Sequence, residues 1–181
     1  MTELGEWVSV STPYVTPRSA GDREAWADEA SQQGHTGTQR LVEVAELVPP
    51  PAVAEALHVA SGEPVVVRRR VMLLDGEPVE LTDSYYPASI ARGTRLAEPR
   101  KIPGGAVTLL AELGYRPRRV SEDISARLAT AEERESLALG ADEWVLHLVR
   151  VATAENGQPV EASVITMIAK DRHLRYQLFI D

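Results

Sequence analysis

The chain has 181 residues, 44% of them hydrophobic, which is typical of one globular domain of medium size. Its 27 acidic and 19 basic side chains give a formal net charge of −8, which argues against nucleic-acid binding through the overall field. There is no cysteine, so disulfides and thiolate metal sites are excluded. No apolar run approaches the ~20 residues that a membrane span needs, and the N-terminus lacks a signal-peptide core. We therefore expect a cytoplasmic protein with no membrane contact.

The first quarter of the chain predicts a strand, a helix and a second strand. A short strand is expected over residues 6–11, before a turn rich in proline. Ser19 or Asp22 then offers an N-cap for a helix that ends near Gln33. The strand predicted over 39–48 runs into three consecutive prolines, which end it because they lack backbone donors.

The middle of the chain predicts a β-hairpin between two helices. A short helix is expected over 52–59. Strands are expected over 65–74 and 77–86, on either side of Asp75-Gly76, which is a strong hairpin turn. The next helix is expected over 106–113, entered and left through glycines.

The last third of the chain repeats this order. A strand over 120–128 is followed by a helix over 130–139, with acidic residues in the first turn, where they favour the helix dipole. A second hairpin is expected over 144–154 and 159–168. A final strand is expected over 174–180.

The two hairpins have similar sequences. Residues 70–80 read RVMLLDGEPVE and residues 150–161 read RVATAENGQPVE, with one extra residue before the second turn. Proline after a turn is common in hairpins, so coincidence is the simpler interpretation. The alternative, which we favour, is a pseudo-symmetric sheet whose matching strands present similar groups to one shared cleft.

The alternation of side chains in the first hairpin assigns its two faces. A two-residue turn would pair Leu74 with Glu77 and mix the faces, whereas a three-residue loop pairs Leu73 with Glu77 and keeps odd positions opposite odd ones. We expect the three-residue loop. It leaves an apolar face for the helices and a polar face that is either a solvated surface or a ligand cleft. The polar face bears Arg70, Met72, Glu80, Thr82 and Ser84.

Motifs of common enzymes and metal sites are missing from the sequence. The four histidines lie far apart without metal-binding spacing, and no GxSxG elbow, phosphate-binding loop or dinucleotide fingerprint occurs. Gly104-Gly105 could present free N–H groups to an anion, although a plain glycine-rich loop is the simpler interpretation. We predict no catalytic residue, no metal site and no cofactor.

From about Gly34 to its end, the chain resembles the UTRA domain, the effector-binding half of HutC-type regulators in the GntR superfamily. The similarity is carried by residues 68–87 (RRRVMLLDGEPVELTDSYYP), 104–115 (GGAVTLLAELGY), 121–133 (SEDISARLATAEE) and 143–167 (EWVLHLVRVATAENGQPVEASVITM). The resemblance implies an α+β, chorismate-lyase-like fold, with helices packed on an antiparallel β-sheet. It implies a UTRA ligand-binding domain over 34–181, with the strand and helix of 1–33 as part of the same domain. It also implies a homodimer.

The resemblance also implies an effector site in which several family positions are substituted. In members that bind sugar phosphates, Arg70 matches the first of two arginines and Glu161 matches a glutamate that accepts hydrogen bonds from the ligand. The five substituted positions are Met72, Thr82, Gly105, Val107 and Met167. A single arginine cannot replace a fork of donors around a dianion, and Met and Val favour apolar contact. We therefore expect a ligand less polar than a sugar phosphate, mono-anionic or amphipathic.

Three functions remain open from the sequence. We favour the effector-binding, dimerising domain of a transcriptional regulator, which would contact DNA only through a winged-helix domain that this chain lacks. The second is a stand-alone enzyme, in which Arg70 holds a substrate carboxylate and Glu80 or Glu161 acts as general acid or base. The third is a regulator without its own DNA reader that heterodimerises with a full-length partner.

Overall fold

The computed structural model of the protein describes residues 6–19 and 22–177. The strands are β1 (Trp7–Ser9), β2 (Gly37–Leu47), β3 (Val65–Leu74), β4 (Glu77–Pro87), β5 (Pro117–Leu128), β6 (Trp144–Ala154), β7 (Pro159–Ile168) and β8 (Arg172–Leu174). The α-helices are α1 (Thr12–Val15), α2 (Ala25–Gln32), α3 (Pro51–Leu57), α4 (Ala88–Ala91), α5 (Gly105–Glu112) and α6 (Ala131–Leu137). A 3₁₀ turn covers Arg95–Ala97. Across these two ranges, no helix is both long and apolar enough to cross a membrane.

Six strands form one antiparallel sheet in the order β2-β3-β4-β7-β6-β5, and β1 pairs with β8 in a small parallel sheet. This confirms the predicted α+β fold class. The position of the strand predicted over 174–180 is wrong, because β8 covers Arg172–Leu174 and ends where the predicted strand begins. Residues 178–180 of that predicted strand lie outside the described residues.

The large sheet has two halves with the same order of elements. One half is β2-α3-β3-β4 and the other is β5-α6-β6-β7, and the two meet where β4 pairs with β7. The helices α3 and α6 both end in a left-handed residue, His58 with φ 54° and Ala138 with φ 54°. The predicted pseudo-symmetry of the two hairpins is confirmed.

The predicted three-residue loop of the first hairpin is wrong. Leu74 pairs with Glu77 across a two-residue turn, in which Asp75 has φ 51° and Gly76 has φ 91°. Asp-Gly suits this turn because both central residues need positive φ. A register shift beyond Leu73 then pairs Met72 with Glu80. Because of this β-bulge, even-numbered residues of β3 lie opposite even-numbered residues of β4 along the rest of the hairpin. The predicted assignment of the two faces therefore holds there.

Helices cover both faces of the sheet, the apolar face that was predicted to receive them and the polar face as well. On the apolar face, α3 buries Val53 and Leu57 against Val65, Val67 and Tyr85. On the polar face, α2 and α5 provide apolar partners to residues of β3, β4, β6 and β7. The polar face is therefore interior, and its polar groups must find partners there.

The N-terminal segment also differs from its prediction. Helix α2 begins at Ala25 after Glu24, and neither Ser19 nor Asp22 caps it. The turn expected before it contains the short helix α1, which begins with Pro13 in its first turn. Trp7 of β1 packs against Trp26 of α2, with ring centroids 5.5 Å apart, and so joins this segment to the main fold.

Candidate functional site

A cleft lies between the polar face of the sheet, helix α2 and the turn that precedes α5. It comprises an outer cavity of about 740 Å³ and an adjoining inner cavity of about 120 Å³. Both cavities are lined by Glu24, Gln39, Arg70, Tyr86 and the backbone of 104–106. The two cavities therefore adjoin at these residues, which include Arg70 of β3.

Arg70 has hydrogen-bonding capacity left over. Its Nη2 donates to Ser84 Oγ at 2.9 Å, and its Nη1 donates to Gln39 Oε1 at 3.5 Å, a weak contact. Its Nε is buried without a partner. Within 6–19 and 22–177, no carboxylate forms an ion pair with Arg70. A half-buried arginine without a carboxylate partner can bind an anion that enters the cleft.

Arg150 occupies the position of Arg70 in the second hairpin, but it is already paired. Its Nε donates to Glu122 Oε1 at 2.5 Å, and both side chains are largely buried. Burial opposes ionisation of Glu122, but the hydrogen bond from Tyr176 and the charge of Arg150 hold the pKa of Glu122 below its usual value. The guanidinium also stacks over the ring of Tyr14, 5.7 Å from its centroid.

Glu80 is likewise paired inside the protein. Its Oε2 accepts a hydrogen bond from Arg172 Nη2 at 2.9 Å, and its Oε1 accepts one from Thr82 Oγ1 at 3.0 Å. The guanidinium of Arg172 lies 5.8 Å from the rings of both Trp7 and Trp26. Glu80 therefore faces the cleft with its charge neutralised from β8.

Glu161 has no cationic partner among the residues that the structure describes. Its Oε1 accepts a hydrogen bond from Ser163 Oγ at 2.6 Å. Ser163 Oγ lies 2.8 Å from Ser84 Oγ, the acceptor for Arg70. Burial, and next the nearby charge of Glu161, raise the pKa of Tyr86 well above its usual value. The Glu161 carboxylate thus lies in the cleft with open acceptor capacity.

The rim of the outer cavity is built from charged residues. Lys101 Nζ lies 3.1 Å from Glu24 Oε1, and Gln39 Nε2 donates to Glu24 Oε2 at 2.7 Å. Below the rim, the buried guanidinium of Arg68 donates to backbone carbonyls of the 95–100 loop. Arg68 therefore holds the loop that leads into Lys101 and the wall of the cleft.

The structure brings most of the predicted effector residues together. Those that line the inner cavity are Arg70, Met72, Glu80, Thr82, Gly105, Val107 and Glu161. The other two lie beside it: Ser84 accepts from Arg70, and Met167 Sδ lies 3.4 Å from Arg172 Nη2. That any of them contacts a ligand remains a prediction.

Further cleft residues were missed from the sequence. Arg150 and Ser163 line the inner cavity, and they stand where the second hairpin repeats Arg70 and Thr82. Extending the comparison of the two hairpins to every position on the polar face would have identified both residues. Tyr14 and Trp26 also line the cavity, but they come from helices outside the repeat, and no local pattern indicates them. Burial, and next the charge of Glu29, raise the pKa of Tyr14 far above its usual value.

In fold, the molecule is similar to solved structures of transcriptional regulators and of an effector domain from one of them. It is similar to the effector domain of PhnF from Mycobacterium smegmatis (22% identical, TM-score 0.73), covering 91% of this chain and 99% of that one. It is also similar to a putative GntR-family transcriptional regulator (26% identical, TM-score 0.77), covering 92% of this chain and 71% of that one.

Residues 32–173 match the UTRA domain, so the chain belongs to the UTRA domain family. An uncharacterised HTH-type transcriptional regulator of Streptomyces coelicolor is 32% identical over 149 residues, which are 80% of this chain and 55% of that protein. The chain spans about half the length of the curated relatives it matches.

Proposed function

We propose that this chain is the small-molecule effector-binding and dimerisation domain of a cytoplasmic transcriptional regulator of the GntR superfamily and the HutC type. The observation that carries the proposal is Arg70, a half-buried arginine that lines the cleft and whose Nε has no hydrogen-bond partner. Membership of the UTRA family and relatives named as HTH-type regulators support it.

The effector is less polar than a sugar phosphate. A phosphate dianion needs several charge-assisted donors, and Arg70 is one guanidinium whose Nη2 already serves Ser84. The adjoining wall includes Met72, Val107 and Ile165, which offer apolar contact. These features favour a ligand with one anionic group and an apolar body.

Ligand binding in this cleft would reach the N-terminal segment directly. Tyr14 of α1 and Trp26 of α2 line the inner cavity, so a ligand there contacts the segment as well as the sheet. A ligand that binds one arrangement of the N-terminal segment and the sheet more tightly would shift the dimer toward the geometry that goes with it. The coupling free energy for such a shift is ~1–3 kcal/mol. DNA would be read by a winged-helix domain, which is not part of the described fold.

The homodimer is supported by an apolar patch along the outer strand of the sheet. Ile124, Leu128 and Trp144 are 42%, 50% and 54% exposed, and Leu128 and Trp144 are register partners. Neighbouring exposed apolar side chains, such as Leu128 and Trp144, mark protein interfaces. Trp144→Glu is expected to give a monomer in light-scattering mass measurements, whereas Tyr176→Phe, outside the patch, leaves the dimer intact. A monomeric wild-type chain would remove the dimer from the proposal.

The effector-binding role is tested by a thermal-shift and calorimetry screen of organic acids, amphipathic acids and phosphosugars. Wild-type protein is expected to bind members of the first two classes, and Arg70→Met is expected to lose that binding. Arg69→Met is the control, since its side chain projects from the opposite face of β3 and pairs with Glu43 and Asp83. Tight binding of phosphosugars, with no binding of the acids, would overturn the predicted ligand class.

A UTRA-fold enzyme is the second candidate, and the unpaired Glu161 carboxylate in the cleft is the observation that favours it. Such a group could act as a general base toward a ligand held by Arg70. Chromatography of a bound metabolite after prolonged incubation decides between the two functions. Conversion that Glu161→Gln abolishes would establish the enzyme, and unchanged metabolite would leave the sensor.

A further inference from the structure

The two hairpins carry equivalent pairs of charged residues, and within each pair only one member is neutralised inside the protein. The arginines are Arg70 and Arg150, and Glu122 neutralises Arg150. The glutamates are Glu80 and Glu161, and Arg172 neutralises Glu80. In the described ranges, Arg70 and Glu161 have no such ion pair.

The remaining charges of the inner cavity are balanced. Arg18 forms an ion pair with Asp28, with Nη1 and Oδ2 3.5 Å apart, and Glu24 forms one with Lys101, with Oε1 and Nζ 3.1 Å apart. As far as the structure describes the chain, the inner cavity is therefore left with one cation and one anion that are not paired, Arg70 and Glu161. They carry opposite charges, and both line the same cavity.

A chain of hydrogen bonds separates these two groups. Arg70 Nη2 donates to Ser84 Oγ at 2.9 Å, Ser84 Oγ and Ser163 Oγ are 2.8 Å apart, and Ser163 donates to Glu161 at 2.6 Å. No ion pair joins Arg70 to Glu161, because two serine hydroxyls stand between them. Each charge is thus fixed in place by a neutral hydroxyl and faces the cavity with capacity to spare.

We propose that the effector is a zwitterion, with one anionic group on Arg70, one protonated amine on Glu161, and an apolar body between them. This rests on the proposed effector-binding function and narrows its ligand class. Both residues are half-buried, and an unpaired charge that is partly removed from water is costly, so a ligand that supplies both opposite charges gains two charge-assisted hydrogen bonds. A hydroxyl in place of the amine would donate to Glu161 but leave its charge uncompensated. A simple acid would fill only half of the site.

The test is calorimetric titration of the full chain with matched compounds. The zwitterions are γ-aminobutyrate, δ-aminovalerate and ε-aminocaproate, which vary the spacing between the charges. Butyrate, valerate and caproate lack the amine, and butylamine lacks the acid. We expect at least one zwitterion to bind about 10- to 100-fold more tightly than the acid of the same length, since hydrogen bonds to charged groups contribute on this scale.

Two substitutions test whether Glu161 and Arg70 produce the preference for a zwitterion over the matched acid. Glu161→Gln keeps the shape of the side chain and is expected to make the zwitterion and the matched acid bind alike, whereas Arg70→Met is expected to abolish binding of both. Glu155→Gln, an exposed glutamate outside the cleft, is the control and keeps the wild-type preference. Circular dichroism checks that each variant is folded.

Each outcome separates the two proposals. An acid that binds as tightly as its zwitterion, or a preference that survives in Glu161→Gln, overturns the zwitterion and leaves an Arg70-dependent acid sensor standing. Absence of binding by all compounds of the set also overturns it. Binding that persists in Arg70→Met overturns the proposed effector site itself.

Discussion

The hydroxyl oxygens of Ser84 and Ser163 lie 2.8 Å apart where β4 pairs with β7, at the boundary between the two halves of the sheet. Ser163 donates its proton to Glu161, so Ser84 must donate to Ser163 and accept from Arg70. In each of the three hydrogen bonds from Arg70 to Glu161, the donor is therefore the group nearer to Arg70. This buried contact therefore joins the polar groups of the two halves of the cleft.

Removing either hydroxyl is expected to destabilise the fold. Ser84→Ala leaves Arg70 without its principal acceptor, and Ser163→Ala leaves Glu161 without its donor, so each should lower the free energy of unfolding by about 1–3 kcal/mol. Because both residues belong to one chain of bonds, the double variant should lose less than the sum. Urea denaturation measures the effect, with the exposed Ser125→Ala as control. Strictly additive losses would show that the two hydroxyls act independently.

Arg68 is expected to be a strong determinant of stability. Its side chain is 5% exposed and donates to the carbonyls of Leu96, Glu98 and Arg100 at 2.7 to 2.9 Å. Burial lowers the pKa of its guanidinium, and these carbonyls solvate the charge in place of water. Arg68→Met leaves them unsatisfied and should cost about 2–4 kcal/mol in urea denaturation.

The neighbouring Arg69 provides the matched control for that measurement. Its side chain is 42% exposed and pairs with Glu43 and Asp83 at the surface. Exposed ion pairs contribute little, so Arg69→Met should cost less than about 1 kcal/mol. Equal losses at the two positions would mean that the carbonyl contacts of Arg68 have no net effect on stability.

The ion pair of Glu80 and Arg172 is expected to stabilise mainly through mutual dependence. The two side chains are 10% and 7% exposed. Removing one partner leaves the other charge buried, so Glu80→Gln and Arg172→Met should each cost about 3–5 kcal/mol. The double variant should recover part of this loss, which a double-mutant cycle of thermal unfolding measures. A coupling free energy near zero would contradict the assignment of the pair.

Glu133 is expected to contribute to stability in acid. The hydrogen bond from Arg127 lowers the pKa of Glu133 to about 2, with the backbone N–H of Thr130 adding to the effect. Since the folded pKa lies below the usual value of 4.5, this stabilisation is present above pH 4.5 and is lost as the pH falls toward 2.

Denaturation over this range, with a matched pair of variants, checks the effect. Glu133→Gln should cost about 1–2 kcal/mol at neutral pH, because it weakens the capping box of α6, and the difference from wild type should shrink between pH 4.5 and 2. Glu132→Gln, exposed in the same helical turn, should differ little at any pH. A difference for Glu133→Gln that stays constant with pH would contradict the depressed pKa.

The sequence predicts the hairpins well because their turns are locally encoded. Asp75-Gly76 accepts positive φ at both positions whatever surrounds it. The second hairpin, with its one extra residue, turns through the loop 155–157, in which Gly157 has positive φ. The bulge after Leu73 is not encoded in this way. It follows from the need to keep Glu80 on the interior face, and that need is set by the whole sheet.

The interior position of the polar face could not be predicted from local pattern. Alternating charged and apolar residues are typical of a sheet with one solvated face. Here Glu80 finds Arg172, which is 92 positions away along the chain. Tyr14 likewise enters the cleft from outside the repeat. Pairings of this length depend on the tertiary fold, so the sequence alone left the choice between a surface and a cleft open.

Glu122 has a consequence for how such a domain can change its ligand during evolution. It accepts hydrogen bonds from Ser11, Arg150 and Tyr176, and so keeps the second arginine occupied. Loss of its charge would release a guanidinium equivalent to Arg70 on the opposite half of the sheet. A single substitution of Glu122 would therefore make Arg150 a second anion-binding group in the cleft. The ligand preference of such a domain can thus diverge without a change of fold.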